Sequence, residues 1–241
     1  MSAESTSEEQ VVRFVAYSDY LCPWCWNVSR RLQRLESEFE GLIEIEWRSY
    51  LLRPQEKKGR DLERFRSYTL TWSRPGAEPD AGEFRPWSSS DNTSDNTSST
   101  SSPPSHSVPA HMVAKAAARV SPSAFGRMHR RLMEAYFSEN RDISSTAVLE
   151  ALWTELSLPA DAFVFSAGFS ETASDEMRSE IFRDFEEARE FGATGIPAIR
   201  RIDNDAAIVG GHPEELYRRW IERSLERGEG LAPSRRALRK E

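Results

Sequence analysis

The chain of 241 residues has two cysteines, both in the run Cys22-Pro-Trp-Cys25. A bridge between them would close too small a loop to add much stability, so the pair is either chemical or inert. Half a zinc site is the first alternative, and it needs two further Cys or His ligands. The four histidines, His106, His111, His129 and His212, have no paired spacing that would supply them. The pair therefore reads as a redox couple with no metal. Cys22 precedes a helical pattern, where unpaired backbone N–H groups and the positive end of the dipole favour thiolate over thiol. An ordinary thiol is only about 3% thiolate at pH 7, whereas thiols at helix N-termini fall to pKa ~3.5–7.5. Cys22 is thus the expected nucleophile. Cys25, one turn in and more buried, is the expected resolving thiol. Pro23 suits a first helical turn, where its missing donor had no partner anyway. Trp24 is expected to be exposed, shielding or presenting the disulfide.

The surrounding elements place this pair. Val11 to Tyr17 is a continuous apolar run with β-branched and aromatic residues, a buried strand. Val28, Leu32, Leu35 and Phe39 then recur on one face of a helix, and Gly41 stands just past its end. Ile43, Ile45 and Trp47 alternate with charged residues as a half-buried strand. Strand, helix and strand make a βαβ unit with parallel strands and a right-handed crossover.

Residues 54–87 carry proline, glycine and charge with weak periodicity. Residues 88–107 include ten serines and no large apolar side chain, so they cannot offset their ordering entropy and read as a disordered loop. From 108 to 191 the pattern is helical. Residues 197–202 and 206–209 flank Asp203-Asn-Asp205 as a hairpin, and Gly210-Gly-His-Pro213 opens a last helix with Leu216, Trp220, Ile221 and Leu225 on its apolar face. The segments 1–10 and 228–241 read as polar tails. The order is βαβ, a helical insertion, then ββα. This is an α/β protein whose small sheet, from 11–53 and 192–227, is interrupted by an insertion over 54–191.

Composition excludes several classes. Net charge is −7, with 39 acidic against 32 basic side chains, which argues against binding a nucleic-acid backbone. No apolar run approaches the ~18–20 residues of a membrane span. The polar, acidic start lacks the basic and apolar regions of a secretory signal, so the expectation is a cytoplasmic protein. Asp19, Tyr20 and His212 could each tune a proton, but they read more simply as loop residues. Pro197, in Thr194-Gly-Ile-Pro197, taken alone reads as an ordinary trans proline opening a strand.

Together, Val11–Tyr17, Cys22-Pro-Trp-Cys25, the helical block and Phe191 to Pro213 resemble the DsbA-type thioredoxin-fold oxidoreductases, most nearly the cytoplasmic FrnE-like branch. The likeness covers roughly 11–53 and 108–227 and excludes the serine-rich stretch. It implies a thioredoxin fold interrupted by a helical domain, with Pro197 in cis against the cysteine pair. It also implies that the backbone of Ile196 pairs with an extended substrate, and that Pro23 and Trp24 help bind it. The function implied is thiol–disulfide exchange on protein or small-molecule substrates through a mixed disulfide. No bound cofactor is expected, and glutathione enters as a redox partner. The alternative is a glutathione-dependent transferase or isomerase resembling the kappa-class and 2-hydroxychromene-2-carboxylate isomerase enzymes, which often carry serine at the first cysteine position. A third reading, a chaperone or interaction module with a vestigial redox pair, has no positive feature in its favour.

Overall fold

In a computed structural model of the chain, residues 11–57, 59–87, 103–163 and 171–229 are described. The expected tail 1–10, the expected tail 228–241 beyond Glu229 and the serine-rich residues 88–102 lie outside them, while residues 228 and 229 continue the last helix. Strand β1 (Val12–Ser18) leads into helix α1 (Pro23–Glu38), which returns to strand β2 (Ile43–Ser49). β1 and β2 pair in parallel, with Phe14 opposite Ile45 and Ser18 opposite Ser49. Strands β3 (Ala198–Arg201) and β4 (Ala207–Val209) form the expected hairpin, and β3 runs antiparallel to β1. The sheet order is β2-β1-β3-β4.

The unbroken apolar run in β1 follows from its having both faces covered. Phe14 and Ala16 pack with Val28, Leu32 and Leu35 of α1 and with Tyr217 and Ile221 of the last helix, α8 (Glu214–Glu229). Val15 and Tyr17 face the other way, packing with Ala188, Ala193 and Ala198. In α8 the inward residue is Tyr217, fully buried, whereas Leu216 is 40% exposed. Ile221, Trp220 and Leu225 pack on the sheet as the spacing predicts, and Tyr217 takes the place expected of Leu216 because its hydroxyl donates to the Gly210 carbonyl at 2.8 Å.

Between the two halves of the sheet lie α2 (Leu62–Thr69), a 3-10 turn (Leu70–Trp72), α3 (Ser73–Gly76), α4 (Val108–Val120), α5 (Pro122–Phe137), α6 (Thr146–Glu155) and α7 (Glu171–Glu190). Weak periodicity over 54–87 concealed real structure. Phe65, Trp72 and Trp87 are buried in the same core as the α5 aromatics, and residues 75–82 are strapped across α1. Asn27 donates to the Pro75 carbonyl at 2.8 Å. Arg31, on the strapped face of α1, is buried with its guanidinium on Asp80 and on Glu78 at 3.0 Å, and it also donates to the His212 carbonyl at 2.6 Å. Arg31 in turn holds the Asp80 carboxyl down at about 2.

The expected disordered loop reaches too far. Residues 103–107 are ordered because their polar groups find partners: Ser105 N–H donates to Ser144 Oγ at 3.0 Å, and Ser107, fully buried, donates its N–H to the Arg53 carbonyl at 3.1 Å.

Candidate active site

Cys22 is the N-cap of α1, in extended backbone conformation, with Pro23 in the first turn. Its sulfur accepts the Cys25 N–H at 3.4 Å, one of the unpaired donors expected at a helix start. Both cysteines are buried thiols. Cys25 is the deeper, at 1% exposure, and burial pushes its thiol well above the ordinary range, with the neighbouring Cys22 sulfur adding to the effect. An asymmetric pair results: one sulfur at the helix start beside the cis-proline loop, the other deeper in the helix and favoured as the thiol.

The Ile196–Pro197 peptide bond is cis, as the resemblance implied and as Pro197 alone would not have indicated. The Cys22 thiol lies 3.7 Å from the Ile196 carbonyl oxygen. Pro197 is buried, and Ile196 is half-buried between the insertion core and the sheet. Cys22, Cys25, Ile196 and Pro197 are thus brought together from opposite ends of the chain. Trp24 differs from expectation. It is half-buried against the insertion core, and its indole lies so close to Gly211 that a Cβ there would meet the ring at 2.7 Å. The glycine pair after β4 leaves room for the ring, which is why Trp24 is covered.

Asp19 is fully buried, with its carboxylate accepting from Leu21 N–H and Leu52 N–H, both at 2.7 Å. Asp19 finishes the β1–α1 loop, as its place in the sequence suggests. His212 does likewise, with Nε2 at 3.0 Å from the Val209 carbonyl. Tyr20, by contrast, gathers two histidines from the insertion. Its ring lies 4.8 Å from His111 of α4 and 5.3 Å from His129 of α5. The Tyr20 hydroxyl and His129 Nδ1 are hydrogen-bonded at 3.0 Å, and His129 Nε2 and Ser29 Oγ at 2.8 Å. Sequence spacing could not reveal this cluster, because the two histidines stand on different helices far from Tyr20 in the chain. Among the described residues, no group of three or more His, Cys, Asp or Glu side chains could hold a metal ion.

Burial, with neighbouring His111 adding to it, drops His129 to about 3 and keeps it neutral. Between pH 3 and the ordinary histidine value of about 6.5, the unfolded chain therefore binds a proton that the folded chain refuses. The resulting stability is complete above about 6.5 and is lost as pH falls. The expected loss from this residue is about 2 kcal/mol between pH 7 and 5. Urea midpoints at both pH values check it: His129→Gln should flatten the pH dependence by that amount, and an unchanged slope would contradict the assignment.

Next to the cysteines opens a cavity of about 650 Å³, walled by Leu21, Phe65 and Tyr68 and ringed by Arg53, Lys57, Arg60 and Arg64 against a single acid, Asp61. Arg60 stacks over Phe65 at 3.9 Å, and burial, with the like charge of Arg53, lowers its pKa. Burial raises the Tyr68 hydroxyl, and Leu21, the residue before Cys22, belongs to the same wall. These basic residues stand at irregular spacing before and within α2, so the sequence does not mark them as one wall.

Comparison with known proteins agrees with this geometry. Residues 13–67 match the DSBA-like thioredoxin domain. No curated protein matches the chain in sequence. Among solved structures, a Nitrosomonas europaea protein provisionally described as a protein disulfide isomerase superposes with a TM-score of 0.70 at 16% identity, covering 90% of this chain and 99% of its own. The cytosolic disulfide reductase DsbM from Pseudomonas aeruginosa gives 0.64 at 20% identity, covering 91% and 100%. A second DsbM structure, with GSH, gives 0.61 at 19% identity, covering 89% and 99%. At these identities the likeness is one of fold. Residues 13–67, with Cys22 and Cys25 at the start of α1, match the DSBA-like thioredoxin domain, and the chain shares the DsbA-like thioredoxin fold with a helical insertion.

Proposed function

We propose that the chain is a thiol–disulfide oxidoreductase in which Cys22 attacks a substrate disulfide and Cys25 resolves the mixed disulfide. The observation that carries this reading is the asymmetry of the pair. Cys22 caps α1 beside the Ile196 carbonyl, while Cys25 is buried behind it with its thiol pushed up. The nucleophile meets substrate first, and the resolving thiol reacts only with the sulfur next to it. Pro23 and Trp24 form the rim, and the backbone of Ile196, next to Pro197, would pair with an extended substrate segment.

The cationic cavity favours an acidic partner with a thiol or disulfide, and glutathione, with two carboxylates, fits that chemistry. The reading is supported by the DsbM structure with GSH, and a cytoplasmic setting by the cytosolic description of DsbM. Reduction of insulin and of glutathione disulfide in a coupled assay tests it: turnover of either substrate is expected, and failure with both would end the reading. Arg53→Ala combined with Arg60→Ala should raise KM for glutathione disulfide about tenfold or more, since a charge-assisted contact is worth ~1.5–3 kcal/mol. The kcat for an uncharged disulfide should stay unchanged. An equal loss with both substrates would contradict the docking role of the cavity.

A further inference from the structure

Cys25 must lose a proton before it can resolve a mixed disulfide, yet it is 1% exposed and its burial favours the thiol. Two polar atoms near it lack partners. The buried hydroxyl of Ser18, the last residue of β1, has no hydrogen-bond partner, and it stands near enough to Cys25 to favour the thiolate. His111 Nε2, reaching down from α4, is buried with no hydrogen-bond partner. Both residues line one cavity of about 20 Å³, room for a single water. Orphaned buried polar groups are uncommon and call for a reason.

We propose that Ser18 and His111 form the proton outlet of Cys25, bridged by one water in this cavity, with His111 of the helical insertion as the acceptor. The proposal rests on the exchange reading above. The Cys25 S–H gives its proton to Ser18 Oγ as the Ser18 proton passes through the water to His111 Nε2. The freed electron pair on Cys25 attacks the Cys22 sulfur. The bond from Cys22 to the substrate sulfur breaks, and that sulfur leaves with its electron pair. The protein dithiol is thereby oxidised and the substrate disulfide reduced.

The surroundings suit a proton arriving at His111. The Asp19 carboxylate lies 3.9 Å from Nε2. Lys115, which lines the same cavity, is neutralised by Glu180 and Asp184 at 2.7 Å each, and Arg48 by Glu46 and Glu187. Tyr20 is held as the neutral phenol by burial, and His129 is occupied at both ring nitrogens, so neither competes.

Single-turnover reaction of the reduced protein with glutathione disulfide, acid-quenched and read by mass spectrometry, separates formation of the Cys22 mixed disulfide from its decay. A positioned base typically contributes ~10²–10⁴-fold. His111→Gln and Ser18→Ala should therefore slow decay at least tenfold while formation stays within about twofold of wild type. Ser18→Thr, which keeps the hydroxyl, should restore the decay. Unchanged decay in either of the first two variants, or formation slowed as much as decay, overturns the proposal. A failure of the exchange reading itself would look different, because the wild type would then form no mixed disulfide at all.

Discussion

Replacing Cys22 with serine should lower disulfide reduction at least ~10³-fold, because a serine hydroxyl at neutral pH supplies almost none of the anion that a thiol supplies. Cys25→Ser should behave differently. It keeps the outward nucleophile and loses the resolving thiol, so it should react once and stop, leaving one equivalent of substrate bound to Cys22. Mass spectrometry of the protein after exposure to glutathione disulfide distinguishes the two: no adduct with Cys22→Ser, a stable adduct with Cys25→Ser. The difference follows from position, since Cys22 caps α1 and Cys25 lies behind it within the helix, at 5% and 1% exposure. The transferase alternative makes the opposite prediction for the second variant, full turnover without Cys25. An adduct on Cys25 in the Cys22→Ser protein would overturn the assigned roles.

Gly82→Ala should cost about 3 kcal/mol, the upper end of ordinary overpacking. A Cβ at Gly82 would stand 2.5 and 2.8 Å from two ring atoms of Trp26 and closer still to a third. The indole has nowhere to go. It is 3% exposed, stacked on Phe137 at 5.4 Å and edge-on to Phe84 at 4.7 Å. Trp26 directly follows Cys25 on α1, so the strap over 75–82 and the redox helix must shift together. For a chain of this size the melting temperature should fall by roughly 6–12 °C. A melting temperature equal to that of wild type would show that the strap is not packed on α1 as described.

The parts of the molecule legible in the sequence are those where local chemistry and tertiary placement agree. Val11 to Tyr17 reads as a buried strand, one residue from the observed Val12–Ser18, because both faces of β1 are covered. Cys22 reads as a helix-start sulfur because Pro23 and the apolar spacing after it fix the cap. The β3–β4 hairpin is announced by Asp203-Asn-Asp205. What escaped is what long-range contact decides. Trp72 and Trp87 lie in a weakly patterned segment, yet they are buried by the α5 aromatics. Arg31 lies outside the apolar spacing of α1 and is buried only because Glu78 and Asp80 arrive from the strap. Trp24 is covered because Gly211, nearly two hundred residues away, leaves room for it. Of the site, the cysteine pair and the motif around Pro197 were legible. The His111–Tyr20–His129 cluster and the cationic cavity were not, because their residues converge only in the folded chain.

The central claim is that Cys22 and Cys25 form one two-electron couple. The most direct measurement is equilibration of the protein in glutathione buffers across a wide range of reduced-to-oxidised ratios, followed by acid quench, alkylation and peptide mass analysis. The account predicts a reversible loss of two hydrogens, with a peptide in which Cys22 is bonded to Cys25, at a reproducible ratio of the buffer. Two separate cysteines across the whole range, alkylated or carrying glutathione but never joined to each other, would contradict it.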